Sequence, residues 1–113
     1  MKLDLSRIII FTDNMRNMEE FYGTAIGLKI VGRENGWIEF SAGRCNIALH
    51  SGRSKPGNRP PKLTFYAADV AAARVYLRKR ASIDFGPVKS TGTFDMCDGK
   101  DPDGNPIQIS SRK

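Results

Sequence analysis

The stretch RIIIFTDNMRNMEEFY at residues 7–22 is matched, 55 positions further along the chain, by KLTFYAADVAAARVYL at residues 62–77. The two stretches share few identical residues, but they agree in polarity and in the spacing of their apolar positions. The aligned pairs include Arg7 with Lys62, Ile10 with Phe65, Asn14 with Asp69, and Tyr22 with Leu77. Similarity at a fixed spacing is typical of a repeated structural unit. The sequence therefore predicts that the chain contains the same unit twice.

Each unit is predicted to begin with a β-strand and to continue into a helix. Along residues 7–11 and 62–66 successive side chains would point to two different faces, as they do in a strand. Asn14 and Asp69 then stand where a helix N-cap is expected, and Gly27 is a typical stop signal. The apolar positions at helical spacing are Met15, Met18, Phe21, Tyr22, Ala25 and Ile26 in the first helix, and Val70, Ala73, Tyr76 and Leu77 in the second.

Three short strands are predicted after each helix. They are residues 28–31, 37–41 and 45–50 in the first unit, and residues 83–89, 93–98 and 106–110 in the second. Asn35-Gly36 is a strong hairpin signal, and residues 101–105 have the composition of a turn. The predicted order is βαβββ, a linker, and βαβββ again. This is an α+β fold in which helices cover one face of a mixed sheet and leave the other face open.

The length of 113 residues predicts a single domain. We divide it into modules at residues 1–51 and 62–113, joined by an exposed linker at residues 52–61 that is rich in Gly, Pro and Arg. The hydrophobic content of 40% and the charged content of 27% are those of a globular protein. No apolar run approaches the ~18 residues of a membrane span, so no membrane partner is expected. The first residues lack the apolar core of a signal peptide, which predicts a cytoplasmic protein.

The charge pattern, the cysteines and the histidine exclude several functional classes. The net charge of +6 is not gathered into a basic stripe, so no nucleic-acid partner is expected. Cys45 and Cys97 form no CxxC pair, which leaves neither a zinc module nor a thioredoxin-type motif. His50 is the only histidine, so a site that needs two histidines is excluded as well.

The alternation along the strands predicts two different sheet faces. One face is apolar and should pack under the helices; it carries Ile8, Ile10, Ile38, Phe40, Ile47, Leu49, Leu63, Phe65, Ile107 and Ile109. The opposite face, which we call the open face, is mixed and contains several aromatic side chains. So much aromatic area favours a ligand-binding cleft or an interface with a second subunit over a face that is simply exposed to water. The predicted ligand-binding residues are Arg7, Phe11, Trp37, Glu39, His50, Lys62, Tyr66 and Gln108.

The orientation of the strand at residues 93–98 is left open by the pattern. Phe94 and Met96 either belong to the open face or pack beneath the helix in place of Thr93, Asp95 and Cys97.

Several motifs together resemble one protein superfamily. The tandem βαβββ units, the Phe21-Tyr22 pair, the Gly27-Leu28 pair and DPDGNPIQI at residues 101–109 are similar to those of the vicinal oxygen chelate superfamily. That superfamily includes glyoxalase (lactoylglutathione lyase), bleomycin-resistance proteins and extradiol dioxygenases. The resemblance implies a glyoxalase-like fold, in which the paired modules form a cupped mixed sheet with the helices on its outer face. It also implies a homodimer.

The resemblance further implies where a metal would be held. In the metalloenzymes of the superfamily, His or Glu at one inward position on each of four strands binds a divalent metal. The corresponding positions in this sequence are Arg7, Ala48, Lys62 and Gln108. Arginine, alanine and lysine are not ligands for a divalent cation, and glutamine is a weak one. We therefore expect neither a metal nor another cofactor.

Together with these residues, the resemblance, here to the antibiotic-resistance branch of the superfamily, implies a metal-independent protein that sequesters an aromatic or anionic small molecule. The side chains that would stack on the ligand are Phe11, Trp37 and Tyr66. Arg7 and Lys62 would pair with an anionic group. The alternative is a lyase, isomerase or dioxygenase of the same superfamily, with or without a metal, in which His50 acts as a general base with Glu39 as its partner. A third alternative is a module that acts only through protein contacts.

Overall fold

Every residue from 1 to 113 is described by the computed structural model, and the chain divides into two units, Met1–Lys55 and Pro56–Lys113. We call them unit 1 and unit 2. The boundary between them falls inside the predicted linker, residues 52–61. No helix in either unit is long and apolar enough to cross a membrane.

Unit 1 has the order βαβββ. Its elements are β1 (Arg7–Thr12), α1 (Met15–Glu19), which continues into a π-helical segment (Glu20–Ala25), β2 (Lys29–Glu34), β3 (Trp37–Ser41) and β4 (Asn46–Ser51). The strands form a mixed sheet in the order β1-β4-β3-β2. β1 is parallel to β4, whereas the other neighbouring strands are antiparallel. The predicted Asn35-Gly36 turn joins β2 to β3, and Gly36 has the positive φ of 74° that such a turn requires.

Unit 2 repeats this arrangement. Its elements are β5 (Leu63–Tyr66), α2 (Val70–Ala81), β6 (Lys89–Ser90), β7 (Asp95–Lys100) and β8 (Pro106–Ser110). The sheet order is β5-β8-β7-β6, with β5 parallel to β8 and the other pairs antiparallel. The predicted α+β class with two βαβββ modules is therefore confirmed.

One predicted strand is largely missing. The pattern predicts a strand over residues 83–89, but β6 has only two residues. Pro87 lacks the N–H that a sheet ladder needs. The segment is held against α2 instead, because Arg74 Nε donates to the carbonyl oxygens of Phe85 and Gly86 at 3.1 and 2.8 Å. The other predicted strands agree with the observed ones to within three residues at each end.

The central strands confirm the predicted apolar face. Its buried members are Ile38, Phe40, Ile47, Leu49, Ile107 and Ile109. The edge strand β1 departs from the prediction, because Ile8 is 37% exposed where a strand has a neighbour on one side only. On the open face, Ala48 and Ser110 are buried, because each is a small residue on a central strand with a neighbouring strand on both sides.

The two helices bury their apolar residues differently. Phe21 is 6% exposed, but Tyr76, its counterpart in the repeat, is 56% exposed, so the prediction that Tyr76 faces the core is wrong. α2 is regular, and Tyr76 lies about 120° around its axis from buried Val70. In unit 1 the Ile26 N–H donates to the Phe21 carbonyl, five residues back, at 2.8 Å. This wider π-turn brings Phe21 and Tyr22 to the buried side together.

Only one of the two predicted N-caps makes the expected hydrogen bond. Asp69 Oδ1 accepts from the Ala72 N–H at 2.9 Å. The Asn14 side chain makes no such bond, and its own N–H donates to Thr12 Oγ1 at 2.9 Å. The start of α1 is thus fixed by the buried side chain of Thr12.

Replacing Phe21 with alanine should destabilise the protein far more than replacing Tyr76. The Phe21→Ala substitution removes a buried ring and should cost about 3–5 kcal/mol. Tyr76→Ala removes an exposed ring, which lies 5.7 Å from the Arg80 guanidinium, and should cost less than about 1 kcal/mol. Urea unfolding of the two variants measures the difference. Equal losses would contradict the different placement of these repeat-related rings.

Candidate functional site

The open face of unit 1 is organised in three rows that run across β1, β4 and β3. The sheet register gives their members as Phe11, His50 and Trp37; Ile9, Ala48 and Glu39; and Arg7, Asn46 and Ser41. We call the first the aromatic row and the third the arginine row. At about 3.3 Å per residue, the backbones of these two rows are roughly 13 Å apart. The structure therefore places every site residue predicted in unit 1 on one surface.

The His50 ring contacts both of the other rings in the aromatic row. The His50 ring centroid lies 5.2 Å from that of Phe11 and 5.7 Å from that of Trp37, both edge-to-face. Gly52 leaves room for this arrangement, because a Cβ there would lie 3.0 Å from Phe11 Cδ1. His50 Nδ1 is 3.0 Å from the Ser51 carbonyl oxygen. The result is a continuous aromatic surface in which Phe11 remains 52% exposed.

Glu39 binds the two polar side chains of the arginine row that lie nearest to it. Its Oε2 accepts from Arg7 Nε at 3.1 Å and from Asn46 Nδ2 at 2.7 Å. The hydrogen bond from Asn46, followed by that from Arg7, holds the pKa of Glu39 below its ordinary value. The Arg7 guanidinium is fixed through Nε, and its two terminal nitrogens make no hydrogen bond within the protein.

A similar cluster lies on the open face of unit 2. Lys62 Nζ donates to Asp98 Oδ1 at 3.0 Å, and Gln108 Nε2 donates to the same oxygen at 3.1 Å. Partial burial acts to raise the pKa of Asp98, but the hydrogen bonds from Lys62 and Gln108 outweigh it and lower the pKa. Tyr66, the remaining residue predicted in this unit, is exposed and pairs with Ser110 in the register.

The register also determines the orientation of β7. Cys97 lies opposite Ile109 and is buried, whereas Met96 lies opposite Ser110 on the open face. Gln108 Nε2 contacts the Met96 sulfur at 3.5 Å. Burial raises the pKa of the Cys97 thiol, which disfavours the thiolate that a nucleophilic cysteine needs.

The cation–carboxylate pair occupies equivalent positions in the two sheets. Arg7 and Lys62 are separated by the repeat offset of 55 residues. Glu39 and Asp98 also correspond. Glu39 lies on β3 and Asp98 on β7, which are the third strands in the two sheet orders, and each carboxylate belongs to the middle row of its sheet. The fixed offset instead aligns Glu39 with Phe94, because the strand connections differ in length. The predicted ligand-binding residues do not include Asp98, whose equivalence to Glu39 follows from the sheet register and not from the fixed offset.

The four positions at which the resemblance implies metal ligands are used differently here. Arg7 and Lys62 form ion pairs, and the Gln108 amide donates to a carboxylate. Ala48 has no donor atom. No group of three or more His, Cys, Asp or Glu side chains is placed so that it could hold a metal ion. The residues at these positions therefore do not fit a divalent metal.

The two candidate catalytic residues, Glu39 and His50, do not form a hydrogen bond with each other. The Glu39 carboxylate binds Arg7 and Asn46, while the His50 imidazole binds the Ser51 carbonyl. Glu39 stands in the middle row and His50 in the aromatic row, on neighbouring strands. A Glu39–His50 hydrogen-bonded pair is therefore not formed.

Comparison with known proteins identifies a family and several structures of the same fold. The family model of the Glyoxalase/Bleomycin resistance protein/Dioxygenase superfamily matches residues 4–109. No curated protein matches the sequence at a significant level.

Three solved structures illustrate the similarity in fold. A lactoylglutathione lyase from Agrobacterium tumefaciens is 19% identical, with a TM-score of 0.73 over 97% of this chain and 94% of that one. TnmS3, an antibiotic binding protein from Streptomyces sp. CB03234, is 19% identical, with a TM-score of 0.78 over 96% and 94%. A glyoxalase/bleomycin resistance protein/dioxygenase from Nocardioides is 17% identical, with a TM-score of 0.81 over 97% and 83%. At these identities the likeness concerns the fold alone.

Replacing Glu39 with glutamine should lower the Tm in a pH-dependent way. Because folding lowers the pKa of Glu39, its carboxylate stabilises the protein above the ordinary value of 4.5, and this contribution is lost as the pH falls through the lowered value. Glu39→Gln should therefore lower the Tm at about pH 7 and have a smaller effect near pH 3. Thermal unfolding followed by circular dichroism at both pH values provides the measurement.

The matched control for this experiment is Glu34→Gln. Glu34 is an exposed carboxylate at the end of β2 that forms no ion pair, so its replacement should change the Tm little at either pH. A loss for Glu39→Gln of the same size at both pH values would show that its ionised carboxylate is not what stabilises the cluster.

Proposed function

Because the chain belongs to the Glyoxalase/Bleomycin resistance protein/Dioxygenase superfamily, we propose that it is a small-molecule binding protein that sequesters an aromatic or anionic compound without a metal. The observation that carries this proposal is the open face of unit 1. There an exposed aromatic row and an oriented arginine lie on one surface. TnmS3, whose fold this chain resembles, is an antibiotic binding protein, which is consistent with a binding role.

The aromatic row supplies the apolar part of the proposed site. Phe11 is 52% exposed and Ile9, in the adjacent row, is 46% exposed, so the surface presents apolar area that a planar ligand would cover. Trp37 and His50 extend this surface across the sheet. Rings offer stacking or edge contacts to a second aromatic system and lose little conformational entropy when they bind it.

The arginine row supplies the polar part. Arg7 is held by Glu39 through Nε, so its terminal nitrogens face a ligand in a fixed orientation. A guanidinium held in this way is suited to bind a carboxylate through two parallel hydrogen bonds. In unit 2 the proposed ligand-binding residues are Lys62, Tyr66 and Gln108, and Asp98 orients Lys62 as Glu39 orients Arg7.

We also propose that residues 1–113 act as one domain and that the functional protein is a cytoplasmic homodimer. Ile8 and Ile9 point to opposite faces of the edge strand β1, and both are exposed, so a second copy would bury apolar surface there. Cys45 and Cys97 are both free, as expected of a protein from a reducing compartment.

An enzyme of the same superfamily is the second candidate. The observation in its favour is that His50 Nε2 has no partner within the protein and could accept a proton. Its weakness is that Glu39 is engaged by Arg7 and Asn46 and does not orient the imidazole.

The first test uses 2-naphthoate as a planar anionic probe. Binding should raise the Tm of the native protein, and isothermal titration calorimetry should give its Kd. Trp37→Ala should weaken binding by removing a ring of the aromatic row, and Arg7→Gln should weaken it about tenfold or more by removing a charged hydrogen-bond donor. Arg44→Gln is the matched control, because Arg44 is an exposed arginine in the β3–β4 connection.

Equal weakening by Arg7→Gln and Arg44→Gln would mean that only overall charge attracts the probe. Absence of any Tm shift with naphthoate and with other aryl carboxylates would overturn the unit 1 surface as the binding site for such anions.

Native mass spectrometry before and after dialysis against a chelator tests metal independence. We expect the mass of a dimer. We expect no bound divalent ion, because the four implied ligand positions are Arg7, Ala48, Lys62 and Gln108. One divalent ion per chain that is lost to the chelator would contradict the proposal and place the enzyme first.

A further inference from the structure

We propose that the unit 1 surface selects aromatic acids that carry a hydroxyl group on the ring, and that this hydroxyl donates a hydrogen bond to Nε2 of His50. This inference rests on the proposed binding function and specifies the ligand class. It follows from the hydrogen bond at Nδ1 of His50, which determines whether Nε2 donates or accepts a hydrogen bond with a ligand.

The tautomer of His50 is determined by its contact with the backbone. Its Nδ1 lies 3.0 Å from the backbone carbonyl oxygen of Ser51. A carbonyl oxygen only accepts hydrogen bonds, so Nδ1 must carry the hydrogen. In the neutral imidazole the other nitrogen, Nε2, then has a lone pair and no hydrogen. A ligand that contacts Nε2 must therefore supply a donor.

Backbone hydrogen bonds and ring contacts hold this arrangement in place. The carbonyl that selects the tautomer belongs to a fixed segment, because the Ser51 N–H donates to the Gly36 carbonyl at 2.9 Å and the Gly52 N–H donates to the Thr12 carbonyl at 3.0 Å. The imidazole itself contacts the rings of Phe11 and Trp37 on its two sides. These contacts hold the plane of the ring, and the hydrogen bond to the Ser51 carbonyl then favours the flip that places Nδ1, and not Cδ2, at that oxygen.

Nε2 of His50 is accessible to a ligand. His50 is exposed, and no protein donor occupies Nε2. A ligand ring that covers the aromatic row would displace water from this acceptor, and an acceptor left unpaired in a covered site costs binding free energy. A phenolic hydroxyl, with a pKa of about 10, is protonated at neutral pH and provides the missing donor. An aryl ether of the same shape does not.

The distance between the two rows determines the shape of the ligand. The aromatic row and the arginine row are roughly 13 Å apart along the strands, measured between backbones, so one ligand can reach both only if it is elongated. A hydroxylated ring joined to a carboxylate by a short chain has this form. Its hydroxyl would lie at His50 and its carboxylate near the terminal nitrogens of Arg7.

The tautomer can be measured without any ligand. His50 is the only histidine in the chain, so a long-range ¹⁵N–¹H correlation spectrum contains the signals of a single imidazole. At a pH where the ring is neutral, we expect the signal of a protonated nitrogen at Nδ1 and of an unprotonated one at Nε2. The reverse assignment would overturn the inference and leave the proposed binding function in place.

Selectivity is tested with two probes, 4-hydroxycinnamate and its methyl ether 4-methoxycinnamate. They share the ring, the spacer and the carboxylate and differ in the donor. One neutral hydrogen bond is worth roughly a three- to tenfold change in Kd, so the native protein should bind the hydroxyl compound tighter by that factor. In His50→Phe, which keeps a ring in the aromatic row, the preference should be lost, so that the ratio of the two Kd values is about one.

The possible results separate this inference from the proposal on which it rests. Equal Kd values for the two probes in the native protein, or a preference that persists in His50→Phe, would overturn the role of His50 while showing that aromatic acids bind. Failure of both cinnamates to bind, together with binding of 2-naphthoate, would overturn the elongated hydroxyaryl class alone. Failure of all three would also overturn the unit 1 surface as the binding site for such anions.

Discussion

The pairing of β1 with β4, and of β5 with β8, is the constraint on which both candidate surfaces depend. Side chains alternate between the two sheet faces, so a register shift of one residue would exchange the faces. In unit 1 the observed pairing buries Ile47 and Leu49, and by the same step it places His50 between Phe11 and Trp37. The apolar core therefore also determines which side chains meet on the open face.

This dependence explains what could be predicted from the sequence. Alternation along single strands was enough to predict both βαβββ modules and to assign residues such as Arg7 and Gln108 to the open face. It could not predict which side chains bind one another, because that depends on the register between strands. In the enzyme alternative Glu39 is the partner of His50, but it binds Arg7. The predicted ligand-binding residues do not include Asp98, which binds Lys62.

Local helix geometry was a second limit. Phe21 and Tyr76 correspond in the repeat, yet only Phe21 is buried, because a π-turn changes the direction of the side chains in unit 1 alone. Gly23 lies within this π-helical segment. A Cβ at Gly23 would lie 3.1 Å from Phe40 Cε1, so the absent side chain allows the helix to lie close to the sheet. A pattern of apolar residues at 3.6 spacing contains no information about such a turn.

Stability alone does not account for the ion pairs on the two open faces. The side chains of Arg7 and Lys62 are 43% and 50% exposed, and exposed pairs contribute about 0–1 kcal/mol to folding. What the two pairs share is a cation held in a fixed orientation by a carboxylate in the middle row. The carboxylate also cancels much of the positive charge, so a simple anion gains little by binding there. A ligand for such a surface must add contacts of another kind, and in unit 1 the aromatic row is the part of the same face that offers them.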